Sequence, residues 1–151
     1  MNDISANFSV WFSGYISILV VIVMWQQLKA AREQLRFDLF KKRFKIYESV
    51  LDFIASGCSG KMGAPEILDF DRARNKSLFL FAKDKGIHDY LLGLRERALD
   101  YDKLKSDMEA TEARSPERSQ VVEKMVKIKT WFLEQDDEAR KKFEGYLSFK
   151  K

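Results

Sequence analysis

The chain has 151 residues, 46% hydrophobic and 33% charged, with two prolines, one cysteine and one histidine. That length holds one small domain, and so much charge with so little proline fits a compact helical protein and excludes a disordered tail. The net charge of +4 does not mark a nucleic-acid-binding domain: residues 29–45 carry seven Lys or Arg against two acidic residues, while residues 46–151 carry twenty of each sign and so lack a basic excess on the globular part.

From Ile4 to Leu28 there is no Asp, Glu, Lys, Arg or His. The dense apolar part runs from Phe8 to Trp25, and at about 1.5 Å per residue Ile4 to Trp25 covers roughly 30 Å, the hydrocarbon thickness of a bilayer. A transmembrane helix is therefore expected over 8–27 after a short extracytoplasmic tail at 1–7, with Trp11 and Trp25 as interfacial anchors. A cleaved secretory signal fits less well, because only Asp3 precedes the run and Trp25-Gln26-Gln27 offers no small-residue cleavage site. Ser9, Ser13 and Ser17, spaced by four with Gly14 adjacent, make a small-residue stripe that lets spans pack closely. The plainer reading is that each serine bonds a carbonyl of its own helix.

The next segment sets orientation. Lys29, Arg32, Arg36, Lys41, Lys42, Arg43 and Lys45 follow the apolar run, and no Lys or Arg precedes it. Excess Lys and Arg stays on the cytoplasmic side and is drawn to anionic headgroups, so the N-terminus points out and 28–45 forms a basic juxtamembrane stalk with membrane lipids as partners. Helical periodicity continues: Leu28, Leu35, Leu39, Ile46, Val50 and Phe53 share one face, joined from residue 40 by Phe40, Phe44, Tyr47, Leu51 and Ile54. One helix is expected over about 8–55, with a cytoplasmic bundle over 46–151.

Gly57 supplies a helix stop. The loop Gly57-Cys58-Ser59-Gly60-Lys61-Met62-Gly63 is not a phosphate-binding loop, since Ala55 stands where the first glycine belongs, Met62 follows Lys61 and a helix leads in. Pro65 opens a second helix with Ile67, Leu68, Phe70, Leu78, Leu80 and Phe81 as its apolar surface, short or broken across the charged Asp69–Lys76 interval. Asp84 caps a third, whose Ile87, Tyr90, Leu91, Leu94, Ala98, Tyr101, Leu104 and Met108 keep 3 and 4 spacing. After the polar linker Glu109–Arg114, Ser115-Pro116-Glu117 starts a fourth, with Val121, Val122, Met125, Ile128, Trp131, Phe132, Ala139, Phe143, Tyr146 and Leu147 inward. The expected fold is all-α: one N-terminal transmembrane helix continuing into an antiparallel bundle of about four helices.

Chemistry is sparse. Cys58 has no cysteine to pair with, as suits a reducing compartment, and reads as an incidental thiol rather than a reactive one. His88 beside Asp89 reads as a solvated residue. Asp100 with Asp102, and Asp136-Asp137-Glu138, read as solvated faces because adjacent helix positions diverge; Glu48 and Asp52 share a face but have Lys and Arg nearby to pair with. No catalytic, cofactor or metal site is expected, and no enzyme. The aromatic set Phe40, Phe44, Tyr47, Phe79, Phe81, Trp131, Phe132 and Phe143 reads mainly as core, and any member left uncovered would form a partner-binding groove.

Asp38-Leu39-Phe40-Lys41-Lys42-Arg43-Phe44-Lys45-Ile46-Tyr47-Glu48, then Phe79-Leu80-Phe81, then Trp131-Phe132 with Gln135, Phe143, Tyr146 and Leu147, resemble a pattern in small uncharacterised bacterial proteins with one N-terminal membrane helix. The resemblance covers most of the chain from about residue 28, with Asp136 and Asp137 more acidic than the pattern. It implies the bacterial inner membrane and no activity. The functional expectation is an anchored interaction module that docks a protein partner or forms a homo-oligomer at the cytoplasmic face. The alternative is a membrane-acting effector whose span assembles through Ser9, Ser13 and Ser17, as in toxin or phage-defence roles.

Overall fold

The computed structural model describes residues 3–82, 84–110 and 116–148, with side chains described for 18–82, 84–110 and 117–148. Its described residues form four helices and no strand: α1 Asp3–Ser59, α2 Ala64–Leu80, α3 Lys85–Ala110 and α4 Pro116–Leu147. The chain divides into two compact units, Met1–Leu39 and Phe40–Lys151.

In the first unit every side chain from Ile18 to Trp25 is between 46% and 66% exposed, and Leu28 and Leu35 are exposed too. Among the described residues no helix is long and apolar enough to cross a membrane. Ser9, Trp11, Ser13, Gly14 and Ser17, with the first half of the expected span 8–27, lie outside the residues whose side chains are described. The apolar run described, Ile18 to Trp25, gives way to Gln26, Gln27 and then Lys29.

The second unit is an antiparallel four-helix bundle. Tyr47 meets Phe143 and Phe53 meets Phe132 across α1 and α4, while Tyr90 reaches Gln135 and Arg118 reaches Met108 across α3 and α4, so sequence order reverses at each pairing. On α1 the expected stripe goes inward: Ile46, Val50, Phe53 and Ile54 are buried, flanked by Tyr47 and Leu51. Phe53 stacks on Phe70 with ring centroids 3.9 Å apart and takes the edge of Phe132 at 6.3 Å. Met62, in the loop after α1, is fully buried and closes that end of the core.

Three expectations are corrected. Gly57 does not stop α1. The helix continues to Ser59 and closes at Gly60, whose φ is +72°, with Lys61 N–H donating to the Ser56 carbonyl (3.1 Å) and Gly60 N–H to that of Gly57 (3.3 Å). This double closure needs the left-handed conformation that glycine adopts without a Cβ clash. Secondly, α2 is unbroken through its charged interval, because Asp71 is held from two helices: Arg74 bonds it at 3.1 Å, and Arg95 of α3 bonds both its oxygens at 2.8 and 2.9 Å. Thirdly, Leu68 and Leu78 of α2 and Val122 of α4 face outward, 55%, 47% and 43% exposed, so Ile67, Phe70, Ala73 and Ser77 alone form the buried face of α2.

Gly57 has a different duty. A Cβ there would lie 2.6 Å from Cγ of Phe132, so the Phe132 ring rests directly on the α1 backbone. Gly93, inside α3, has nothing within 4 Å of the same position. The two glycines therefore answer alanine with opposite signs. Gly57→Ala forces the ring aside and lowers stability by about 1–3 kcal/mol, whereas Gly93→Ala removes backbone entropy from a helix interior and raises it by about 0.5–1 kcal/mol. Thermal melts of full-length protein in mild detergent read both; equal effects would show that Phe132 does not bear on α1.

Candidate functional site

The basic residues read from the sequence are placed unequally. Lys29, Arg32 and Arg36 of the first unit are exposed. In the second, Lys41, Lys42 and Lys45 are exposed, but Arg43 is half-buried and turned into the bundle. Its Nε donates to the Leu80 carbonyl at 3.4 Å, and its guanidinium lies 5.7 Å from the Phe81 ring and 5.3 Å from the Tyr146 ring. The last carbonyls of α2 lack partners within their own helix, so a planar cation that also stacks on aromatic faces fits this corner.

The same corner continues into α3. Asp84 Oδ1 accepts from the Ile87 N–H at 3.1 Å, which is the expected cap, and Oδ2 accepts from the Tyr146 hydroxyl at 3.0 Å. Burial works to raise the Asp84 carboxyl, but the Ile87 N–H, the Tyr146 hydroxyl and the Gly86 N–H outweigh it and hold the group below its ordinary 3.8. Tyr146 moves the other way, raised by burial and then by its bond to the Asp84 carboxylate. Tyr90 is likewise raised, chiefly by burial, and its hydroxyl donates to the Gln135 carbonyl at 3.1 Å.

Beside this corner lies a groove of about 520 Å³ between α1 and α2. Ile46, Ala73 and Leu80 provide its apolar floor, Phe79 stands at one side, and Lys42, Lys45 and Lys76 line it. None of the three lysines has an ion pair among the described residues, whereas Arg72 and Asp69, both also in the lining, pair with each other at 2.8 Å. Phe79 is 86% exposed, the most exposed of the described large apolar residues, because nine residues after Phe70 at about 100° each put it on the opposite side of α2. Phe81, two residues on, is buried. Towards the start of α2 the seam changes sign: a smaller cleft of about 230 Å³ is lined by Asp52, Glu66 and Asp69 with Ser49, Ser56, Phe53 and Phe70.

The other candidates do not assemble. Cys58 is half-buried, and burial is the main cause that raises its thiol, which disfavours the reactive thiolate. His88, expected in solvent, is half-buried with Nδ1 enclosed and without a hydrogen-bond partner among the described residues. No group of three or more His, Cys, Asp or Glu among the described residues is arranged to hold a metal ion. Of the aromatic set, Phe81, Phe132 and Phe143 are core, Phe40, Tyr47 and Trp131 are half-buried, and Phe79 is left uncovered, with Phe44 39% exposed. The groove escapes sequence reading because it joins residues 42–49 to residues 69–80; the one available signal is Phe79-Leu80-Phe81, where positions i and i+2 of a helix cannot share a buried face.

Fold and groove together define an all-α bundle with a cation-lined apolar seam on its surface. In comparisons with protein-family models, curated proteins and solved structures, nothing matches the chain.

The Asp84 corner has a measurable pH signature. Its folded-state carboxyl lies below the ordinary value, so the stability it adds is full above pH 3.8 and is lost as pH falls through the folded-state value. Asp84→Ala removes the cap and costs about 1 kcal/mol at neutral pH. Asp84→Asn keeps the acceptor for the Ile87 N–H but turns an amide NH2 towards the Tyr146 hydroxyl, so it restores only part of that loss and flattens the acid limb of a melting series. An unchanged acid limb in Asp84→Asn would show that this carboxylate is not what the fold loses in acid.

Proposed function

We propose that this chain is a non-enzymatic, membrane-anchored helical module: a single N-terminal span holds it in a bacterial inner membrane with the N-terminus outside, and the bundle docks a protein partner or a second copy at the cytoplasmic face. The observation that carries the docking half is Phe79, a large aromatic 86% exposed beside an apolar groove in a bundle that buries Phe81, Phe132 and Phe143. Singly exposed apolar residues are ordinary; one that borders a concave apolar surface lined by cations without ion pairs is a recognition feature. The anchoring half rests on the uncharged Ile4–Leu28 stretch with its basic flank, and on the exposed run Ile18–Trp25, which apolar surroundings would cover at less cost than water.

Two measurements test it. Full-length protein stays with membranes through carbonate extraction, and a reporter fused after Lys151 is active in the cytoplasm only; freely soluble protein or an external reporter removes the anchor. In mild detergent the chain co-purifies with a stoichiometric partner or as a defined homo-oligomer, and Phe79→Ser abolishes that association without lowering the melting temperature, since Phe79 contributes little to the core. A strict monomer with no partner removes the docking.

A further inference from the structure

The groove is specific about what it accepts, and we infer that its occupant is an amphipathic helix of a protein partner, acidic where it meets Phe79 and basic towards Glu66. This rests on the docking reading above and names the chemistry of the partner. The seam lies between two antiparallel helices, a shape that takes a third helix laid along it with its apolar face down. Ile46 and Ala73, 4% and 7% exposed, form a floor that only a side chain entering the concavity reaches; a flat bilayer surface does not reach it. Phe79 gives the occupant an aromatic flank.

Charge fixes the polarity. Lys42, Lys45 and Lys76 have no carboxylate of their own among the described residues, while Asp52 and Glu66 at the far end have no cation. An occupant of uniform charge would be repelled at one end. A helix with Asp or Glu at one end and Lys or Arg at the other satisfies both, and complementary fields of this kind set partner choice and register. A polyanion such as RNA fits the lysines but not the apolar floor or the acidic end.

The test is site-specific crosslinking in the full-length, membrane-inserted chain. A benzoylphenylalanine at position 79 preserves the aromatic group, and the adduct formed on irradiation of cells is digested and sequenced. The expected product is a peptide from another protein with apolar residues at helical spacing and acidic residues near the crosslink. Lys76→Glu alone, and Lys42→Glu with Lys45→Glu, each cut its yield by roughly tenfold. Lys127→Glu on α4 leaves the yield unchanged, and far-ultraviolet circular dichroism checks that each variant is folded. A protein adduct to a basic or neutral segment, or yields indifferent to the lysine variants, overturns this inference and leaves the docking reading standing. A lipid adduct, or none, overturns both. An adduct to a second copy overturns the inference while keeping docking in its self-associating form.

Discussion

The Phe132 ring lying against the bare backbone of Gly57 sets how closely α1 and α4 approach, and most of the bundle follows from that approach. With the ring seated there, its neighbour Trp131 turns half outward, where Arg97 lies over the indole face at 5.6 Å, and Phe53 meets the edge of Phe132 while stacking on Phe70 of α2. Three helices are thus keyed to one position without a β-carbon. Where α2 ends, Arg43 of α1, Phe81, Asp84 and Tyr146 of α4 converge on one corner. Aromatic pairs add directional preference to area burial, which favours one arrangement over its near neighbours.

Positive charge is sorted by chemistry as well as by position. Arg43 is flanked by Lys42 and by Phe44, yet it alone of the basic residues 41–45 enters the bundle, bonding a carbonyl while its plane lies over two rings. Lysine ammonium is strongly hydrated and compact, so Lys42 and Lys45 stay at the groove with their charge outside the bundle. A block of basic residues that looks uniform in the sequence therefore divides into two placements, one turned into the bundle and one facing outward.

Much of the fold was legible in the residue order. The third and fourth helices declared themselves by spacing, and Asp84 was readable as a cap because an acidic residue before an apolar helix has one obvious partner, the orphan N–H groups of the first turn. What was not legible depends on contacts distant in sequence. The continuity of α2 rests on Arg95, twenty-four residues from Asp71. That Gly57 serves a close contact with Phe132, while Gly60 closes α1, is likewise announced by nothing local. The groove is harder still, since its floor is assembled from two helices and its opposite ends carry opposite charge. Over 8–17 the backbone is helical, as expected, while the side chains lie outside those described.

The order of the helices has a consequence for how the bundle comes into being. Neighbours in sequence pack as neighbours in space, so α1, α2 and α3 can associate while the chain is still emerging from the ribosome, and such local pairing is quick. The seam between α1 and α4 is the exception, because it joins the two ends of the unit. Until Phe132 and Phe143 arrive, Val50 and Phe53 remain an open flank on the nascent protein. Premature termination upstream of those two phenylalanines would leave that flank to chaperones and proteases, so quality control of this molecule turns on the arrival of α4.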